Sequence, residues 1–243
     1  MTKLEVVTHC WNYSRLLTYQ LSSFYLYPPE ESKVRVTVFY AEEDTGTKQV
    51  FDFFSTLPKP KTVKIVPSCL PRRNLMCRAY GRHLAAQKTS ADLIWFTDVD
   101  YCFGPGCLDT LAKLTNKSVH KPKRLFYPRV ILGSKKHVFG DKAIAKLDDG
   151  LKVIDIERDD FGKMTYSKAI GGVQIIRGDT ARKLGYCKDH VLGKCNMSDN
   201  WLPTIEDRVI RVILGTNGQP LELPNVFRIR HSRSGRFEQG LRL

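Results

Sequence analysis

What most constrains this chain is a regular exchange of apolar, strand-like runs with stretches that carry apolar residues at helical spacing. LEVVTHCW (4–11) reads as a buried strand, and NYSRLLTYQLSSFYLY (12–27) as the helix that follows it. KVRVTVFY (33–40) is a second strand, followed by the acidic and turn residues AEEDTGT, and KTVKIVPSC (61–69) is a third. RRNLMCRAYGRHLAAQKT (72–89) reads as one helix, and ADLIWFTDVD (91–100) as a strongly apolar strand ending in two acids. Such alternation predicts an α/β fold with a mostly parallel central sheet flanked by helices. In sheets of that kind ligands gather at the carboxyl ends of the strands, which is where Asp98 and Asp100 fall.

Beyond Gly104 the pattern is more mixed. CLDTLAKLT (107–115) reads as a short helix and RLFYPRVIL (124–132) as a strand, with a Lys-rich polar stretch between them. Residues 133–166 show no clear period and suit loops over a site. KAIGGVQIIRG (168–178) reads as a strand with a tight Gly-Gly approach, and DTARKLGY (179–186) as a helix. TIEDRVIRVILGTNG (204–218) is a further helix, capped by Thr204 and ending at glycine. The last segment, ELPNVFRIRHSRSGRFEQGLRL, begins as a strand and becomes arginine-rich. Neither an internal repeat nor a low-complexity linker interrupts the chain, so a single domain over residues 1–243 is expected.

Composition adds three bounds. No apolar run is long enough to span a bilayer, and MTKLEVVTHC lacks a secretory core, so a cytoplasmic protein is expected. Seven cysteines, none in paired CxxC spacing, suit thiols in a reducing compartment rather than a zinc site. The net charge of +14 favours polyanionic partners: nucleic acid, an anionic membrane face or phosphorylated substrates.

Three local patterns carry chemistry. In FTDVDYCFG two carboxylates one residue apart, at the end of an apolar strand, point the same way and repel when desolvated. A divalent cation holding a diphosphate would neutralise them, and oxygen ligands suit magnesium or manganese; an exposed acidic turn would leave the same tripeptide. In TIEDRVIRV, Glu206 and Asp207 fall in the first turn of an amphipathic helix, where the dipole favours acids. A carboxylate there could also take a proton from a hydroxyl. In FRIRHSRSGR, His231 ends a strand amid arginines.

TDVD, Gly171-Gly172-Val173, the acidic pair Glu206-Asp207 after Trp201, and IRHSR occur in the order seen in nucleotide-sugar transferases of the GT-A fold. The chain resembles the family-2 and β-1,4-galactosyltransferase group. The resemblance implies a Rossmann-like GT-A domain, with residues 1–103 as the nucleotide-sugar-binding half and 104–243 as the acceptor half with a basic tail. It implies a UDP-sugar donor and Mn2+ or Mg2+, with Asp100 and His231 as metal ligands. Asp98 would contact the ribose or sugar, and Gly171, Gly172 and Trp201 would border the donor. Asp207 is implied as the base of an inverting transfer, assisted by Glu206. Arg82 falls where the family often has a donor-side arginine, with His83 in place of its usual Asn, and Arg78 lies one turn earlier on the same helical face. Thr8, His9 and Asn12 are loosely similar to the family's first donor-binding loop. One departure stands out: Arg228 occupies the position of a methionine ligand, and a guanidinium cannot ligate a metal, though it can contact a diphosphate.

For the acceptor, the relatives point to saccharides or lipid-linked glycans. The basic charge, with HKPKR (120–124), SKK (134–136) and the terminal arginines, points slightly more to nucleic acid, as in a transferase acting on a hydroxymethylated DNA base. A nucleotidyltransferase would also place paired acids on a metal, but it leaves the 206–207 and 230–233 patterns without a role. A basic nucleic-acid-binding module would make the acids purely structural.

Overall fold

The computed structural model describes residues 1–117, 124–135, 146–187 and 206–231. Two sheets organise these residues. The larger has seven strands in the order β10-β6-β9-β4-β1-β2-β3. Its strands are β1 (Thr2–His9), β2 (Ser32–Tyr40), β3 (Val63–Cys69), β4 (Leu93–Phe96), β6 (Leu125–Pro128), β9 (Gln174–Arg177) and β10 (Gln219–Leu221). β1 pairs in parallel with β2 and β4, β2 with β3, and β6 with β10, whereas β9 runs antiparallel to both neighbours, β4 and β6. The mostly parallel sheet expected from the alternating pattern is therefore present. The smaller sheet has the order β5-β11-β7-β8, from Tyr101–Phe103, Val226–Arg228, Val130–Ser134 and Phe161–Thr165.

Helices α1 (Ser14–Leu26), α2 (Thr45–Thr56), α3 (Arg72–Met76), α4 (Arg78–Lys88), α5 (Cys107–Lys117), α6 (Gly178–Leu184) and α7 (Glu206–Leu214) connect these strands. Val6, Val7, Val36, Val38, Ile94, Trp95 and Phe96 are all fully buried. Strands buried on both faces read as continuous apolar runs, which is why LIWF was legible.

Several boundaries differ from the sequence reading. α2 falls where only turn residues were read: the Asp44 carboxylate caps it by accepting the Thr47 amide at 3.0 Å, and Thr47, Val50 and Phe54 at spacings of three and four are buried. The 72–89 helix breaks at Cys77, whose backbone is extended (φ −94°, ψ 90°). Cys77 is held in a disulfide, contrary to the expectation of thiols throughout, while Cys10, Cys69, Cys102, Cys107 and Cys187 are free. RLFYPRVIL divides at Arg129 into β6 and β7, which serve different sheets. Within the stretch that lacked a period, β8 pairs antiparallel with β7. No helix among the described residues is long and apolar enough to cross a membrane.

Candidate functional site

β4 stops at Phe96, so Asp98 and Asp100 sit on a turn rather than on the strand, and their side chains part company. The turn is fixed from two directions. Gln20 on α1 donates its amide to the carbonyls of Asp98 (3.0 Å) and Tyr101 (2.9 Å), and the Ile229 amide donates to the Asp100 carbonyl (2.8 Å). Asp98 faces a cavity of about 220 Å3, also lined by Arg78, Arg82, Gly171, Gly172, Glu206, Asp207 and Arg228. Asp100 is not part of that lining and is 3% exposed. The expectation that both carboxylates point the same way is corrected by this turn.

α4 brings Arg78 and Arg82, one turn apart, to the cavity. Arg82 donates to the Tyr186 hydroxyl (3.0 Å) and to Asp98 Oδ1 (3.2 Å), and lies 3.5 Å from Asp207 Oδ1. Arg78 lies 3.6 Å from Asp98 Oδ1 and 3.5 Å from Glu206 Oε1. Burial alone would discharge Arg82, but Tyr186, Asp98, Asp207 and Glu206 more than offset it and hold its pKa above the ordinary arginine value. Burial raises the Glu206 pKa, and Arg78 and Arg82 only partly oppose the rise.

β9 runs antiparallel beside β4, with Gln174 opposite Phe96, so the glycines entering β9 meet the turn leaving β4. A side chain at Gly172 would meet the Asp98 amide at 2.8 Å, and Gly171 has φ +52°. The Gly171 amide donates to Asp207 Oδ2 at 2.6 Å. Asp207 Oδ1 is buried beside the Arg82 guanidinium, with no hydrogen-bond partner among the described residues.

On the other side of the turn, Arg228 Nε donates to Asp100 Oδ2 at 2.9 Å, and His231 Nε2 lies 3.9 Å from the same oxygen. The Asp100 carboxylate holds the Arg228 pKa well above the ordinary value. Asp100 Oδ1 is buried without a hydrogen-bond partner among the described residues. An orphaned carboxylate oxygen beside an imidazole fits one corner of a divalent-cation site, to be completed by diphosphate oxygens. Among the described residues no group of three or more His, Cys, Asp or Glu side chains forms a full cage.

The remaining expected residues scatter. Thr8 and His9 are buried at the carboxyl end of β1, with Thr8 Oγ1 and both His9 ring nitrogens unpartnered among the described residues; neither lines the cavity. Burial, then Arg82 and Arg78, push the His9 pKa well below the usual histidine value. Asn12 takes a left-handed turn (φ 57°) and donates its amide to Asp44. His83 faces away, accepting the Tyr186 amide at Nδ1 (3.1 Å). Trp201 and Thr204 lie outside the described residues.

Four residues of the site were not read from sequence. Tyr186 bridges Arg82 to Gln174, donating to Gln174 Oε1 at 2.5 Å, and Gln174 in turn lies 3.5 Å from the Asp207 carbonyl. Tyr101 and Tyr166 line the cavity with hydroxyls 3.1 Å apart, and Arg228 donates to Tyr166 at 3.3 Å. Only Gly185, the positive-φ residue before Tyr186, carried a local signal.

The chain superposes on mannosyltransferase PcManGT from Pyrobaculum calidifontis, solved in complex with GDP-Man and Mn2+, at a TM-score of 0.56 and 14% identity. The two chains share one fold. The match covers 95% of this chain and 58% of that one. The same fold is found in S. aureus TarS 1–349, at a TM-score of 0.51 and 14% identity over 96% of this chain and 61% of that one. TarS in complex with UDP-GlcNAc matches at 0.52, over 95% and 59% of the two chains. The chain thus spans about three fifths of the structures it matches. No family model and no curated protein matches the sequence.

Proposed function

We propose that the chain is an inverting hexosyltransferase that takes its sugar from a UDP-sugar and uses a divalent cation, Mn2+ or Mg2+. The observation that carries this reading is the convergence of Asp98, the Gly171-Gly172 backbone, Glu206 and Asp207 on one polar cavity in a glycosyltransferase fold.

Asp207 is the base. Its carboxylate lines the cavity, oriented by the Gly171 amide on Oδ2 and by Arg82 3.5 Å from Oδ1, and takes the acceptor proton. As the acceptor oxygen attacks the anomeric carbon, the bond to the nucleoside diphosphate breaks on the opposite face. Arg82 holds Asp207 and Asp98 in place and is too buried to follow solvent. Asp98, fixed by both arginines, accepts from sugar or ribose hydroxyls, and Glu206, tied to Arg78, borders the sugar. At Gly171 and Gly172 the absence of a side chain lets the backbone approach the donor. Thr8 and Trp201 are assigned to the donor by resemblance alone. Asp100 and His231 would hold the cation, which when bound neutralises charge on the departing diphosphate.

For the acceptor, the net charge of +14 favours a polyanion, and the candidate is a hydroxymethylated base in DNA. Much of the tract at 120–124, and the tail beyond His231, lie outside the described residues. The test is to incubate hydroxymethylated DNA with the protein, Mn2+ and UDP-sugars, and to weigh the released nucleosides. A hexose-sized gain on the modified base supports both donor and acceptor assignments. Slow release of UDP without that gain keeps the transferase and moves the acceptor to a saccharide or lipid-linked glycan. Pyrophosphate release would instead mark a nucleotidyltransferase.

A further inference from the structure

The Arg228–Asp100 pair is not accounted for by the transfer chemistry above. Three guanidiniums, on Arg78, Arg82 and Arg228, face the carboxylates of Asp98, Asp100, Glu206 and Asp207. Among the described residues the site therefore holds one carboxylate more than it has guanidiniums, and a diphosphate meets net negative charge there unless more positive charge arrives or the charge already present rearranges.

Only one of the three guanidiniums has room to rearrange. The side chains of Arg82 and Arg78 are 1% and 8% exposed, whereas that of Arg228 is 27% exposed. Its backbone is fixed: Arg228 is the ladder partner of Tyr101, and the next amide, of Ile229, is bonded to the Asp100 carbonyl. The side chain can thus turn while the strand stays. It lines the cavity, and Asp100 lies behind it. A cation approaching Asp100 from the cavity meets a guanidinium first, and two cations on one carboxylate repel strongly in a desolvated site.

We propose that Arg228 is a positioning residue that keeps Asp100 closed to a divalent cation until a nucleoside diphosphate draws its guanidinium away. Cation and donor then enter together. The diphosphate accepts the hydrogen bond that Asp100 gives up, and Asp100 is left with both oxygens free to ligate. This rests on the transferase reading. A neutral residue at 228 would leave Asp100 open at all times and uncouple the two ligands.

The experiment is a titration of free Mn2+, read by its electron paramagnetic resonance signal, for wild type, Arg228→Leu and Arg228→Lys, each with and without UDP. Arg129→Met, a change of equal charge at an exposed surface pair with Glu222, is the control. Arg228→Leu, which removes the charge without adding a ligand, is expected to bind Mn2+ alone at least about tenfold more tightly than wild type. UDP should then enhance Mn2+ binding by a smaller factor in this variant than in wild type, and the control should match wild type. Arg228→Lys keeps the charge without the planar fork and should stay as closed as wild type, or open only slightly. If Arg228→Leu does not fold, Arg228→Ala takes its place. Equal Mn2+ affinity for wild type and the neutral variant, with UDP binding intact, overturns the inference and leaves the transferase standing. A wild type that binds no nucleoside diphosphate, with or without Mn2+, overturns the transferase reading itself.

Discussion

Replacing Arg82 by methionine tests whether the cavity is part of what holds the fold together. Arg82 is 1% exposed and binds three groups from three segments: the Tyr186 hydroxyl at 3.0 Å, Asp98 at 3.2 Å and Asp207 at 3.5 Å. Methionine fills much of the volume but leaves two carboxylates facing each other across a poorly solvated space. Removing one partner of a buried ion pair costs about 3–5 kcal/mol. The lower end applies, because Asp98 keeps Arg78 at 3.6 Å and Asp207 keeps the Gly171 amide. Equilibrium unfolding in urea should therefore show a loss of about 3 kcal/mol for Arg82→Met. Arg82→Lys should lose less, since one ammonium cannot serve all three partners but still supplies the charge. Adding Asp207→Asn to Arg82→Met removes one of the orphaned charges, so the double variant should be more stable than the sum of the two single losses predicts, by about 1–2 kcal/mol. A loss under about 1 kcal/mol for Arg82→Met, or strict additivity in the cycle, would refute the reasoning.

Three further outcomes are expected. Asp207→Asn should lower the transfer rate by roughly a hundred- to ten-thousand-fold while leaving UDP affinity unchanged, and a rate near wild type would remove Asp207 as base. Because burial raises the Glu206 pKa above its ordinary 4.5, the folded protein keeps a proton that the unfolded chain has lost between those two values, so this group's contribution to stability falls as pH rises through that window. Urea unfolding across the window should show that component in wild type and not in Glu206→Gln; parallel curves would contradict it. Gly172→Ala places a methyl 2.5 Å from the Tyr101 ring and 2.8 Å from the Asp98 amide, which should cost about 1–3 kcal/mol, while Gly171→Ala makes only ordinary contacts and should lose about 1–2 kcal/mol through its φ of +52°. Thermal unfolding of the two variants that ranks them the other way would count against the close approach of β9 to the Asp98 turn.

The parts of the fold legible in sequence were those whose signal is local. β4 is apolar on both faces and so reads as a buried strand wherever it is met, and the acids after it mark its end. Asp98, Glu206 and Asp207, which line the cavity, stood out in sequence for the same reason: each stands in a short pattern with its own meaning. α2 escaped because its cap, Asp44, and its buried residues, Thr47, Val50 and Phe54, are set among threonine and glycine that favour turns. The division of 124–132 into two sheets escaped because a strand's run of apolar residues carries no mark of which sheet it joins. Tyr186, Gln174 and Tyr166 escaped for a deeper reason. Their roles exist only through partners far along the chain, Arg82 for Tyr186 and Arg228 for Tyr166, and no spacing records such a meeting. Asp100 shows the same limit in reverse: its residue type was conspicuous, but its turn away from Asp98 depends on the register of β11 against β5.

Trp95 gives the molecule an optical handle on its own cavity. The indole is 1% exposed, and its Nε1 donates to the carbonyl of Gly172 at 2.9 Å, a residue that lines the cavity next to the glycine bonded to Asp207. Trp11, by contrast, lies beneath the Arg72 guanidinium at 4.6 Å and is not part of the cavity lining. With Trp11 and Trp201 changed to phenylalanine, the remaining emission would come from a single chromophore hydrogen-bonded to the glycine backbone. Anything that shifts that peptide would alter the colour of the light it emits, without a label and without turnover.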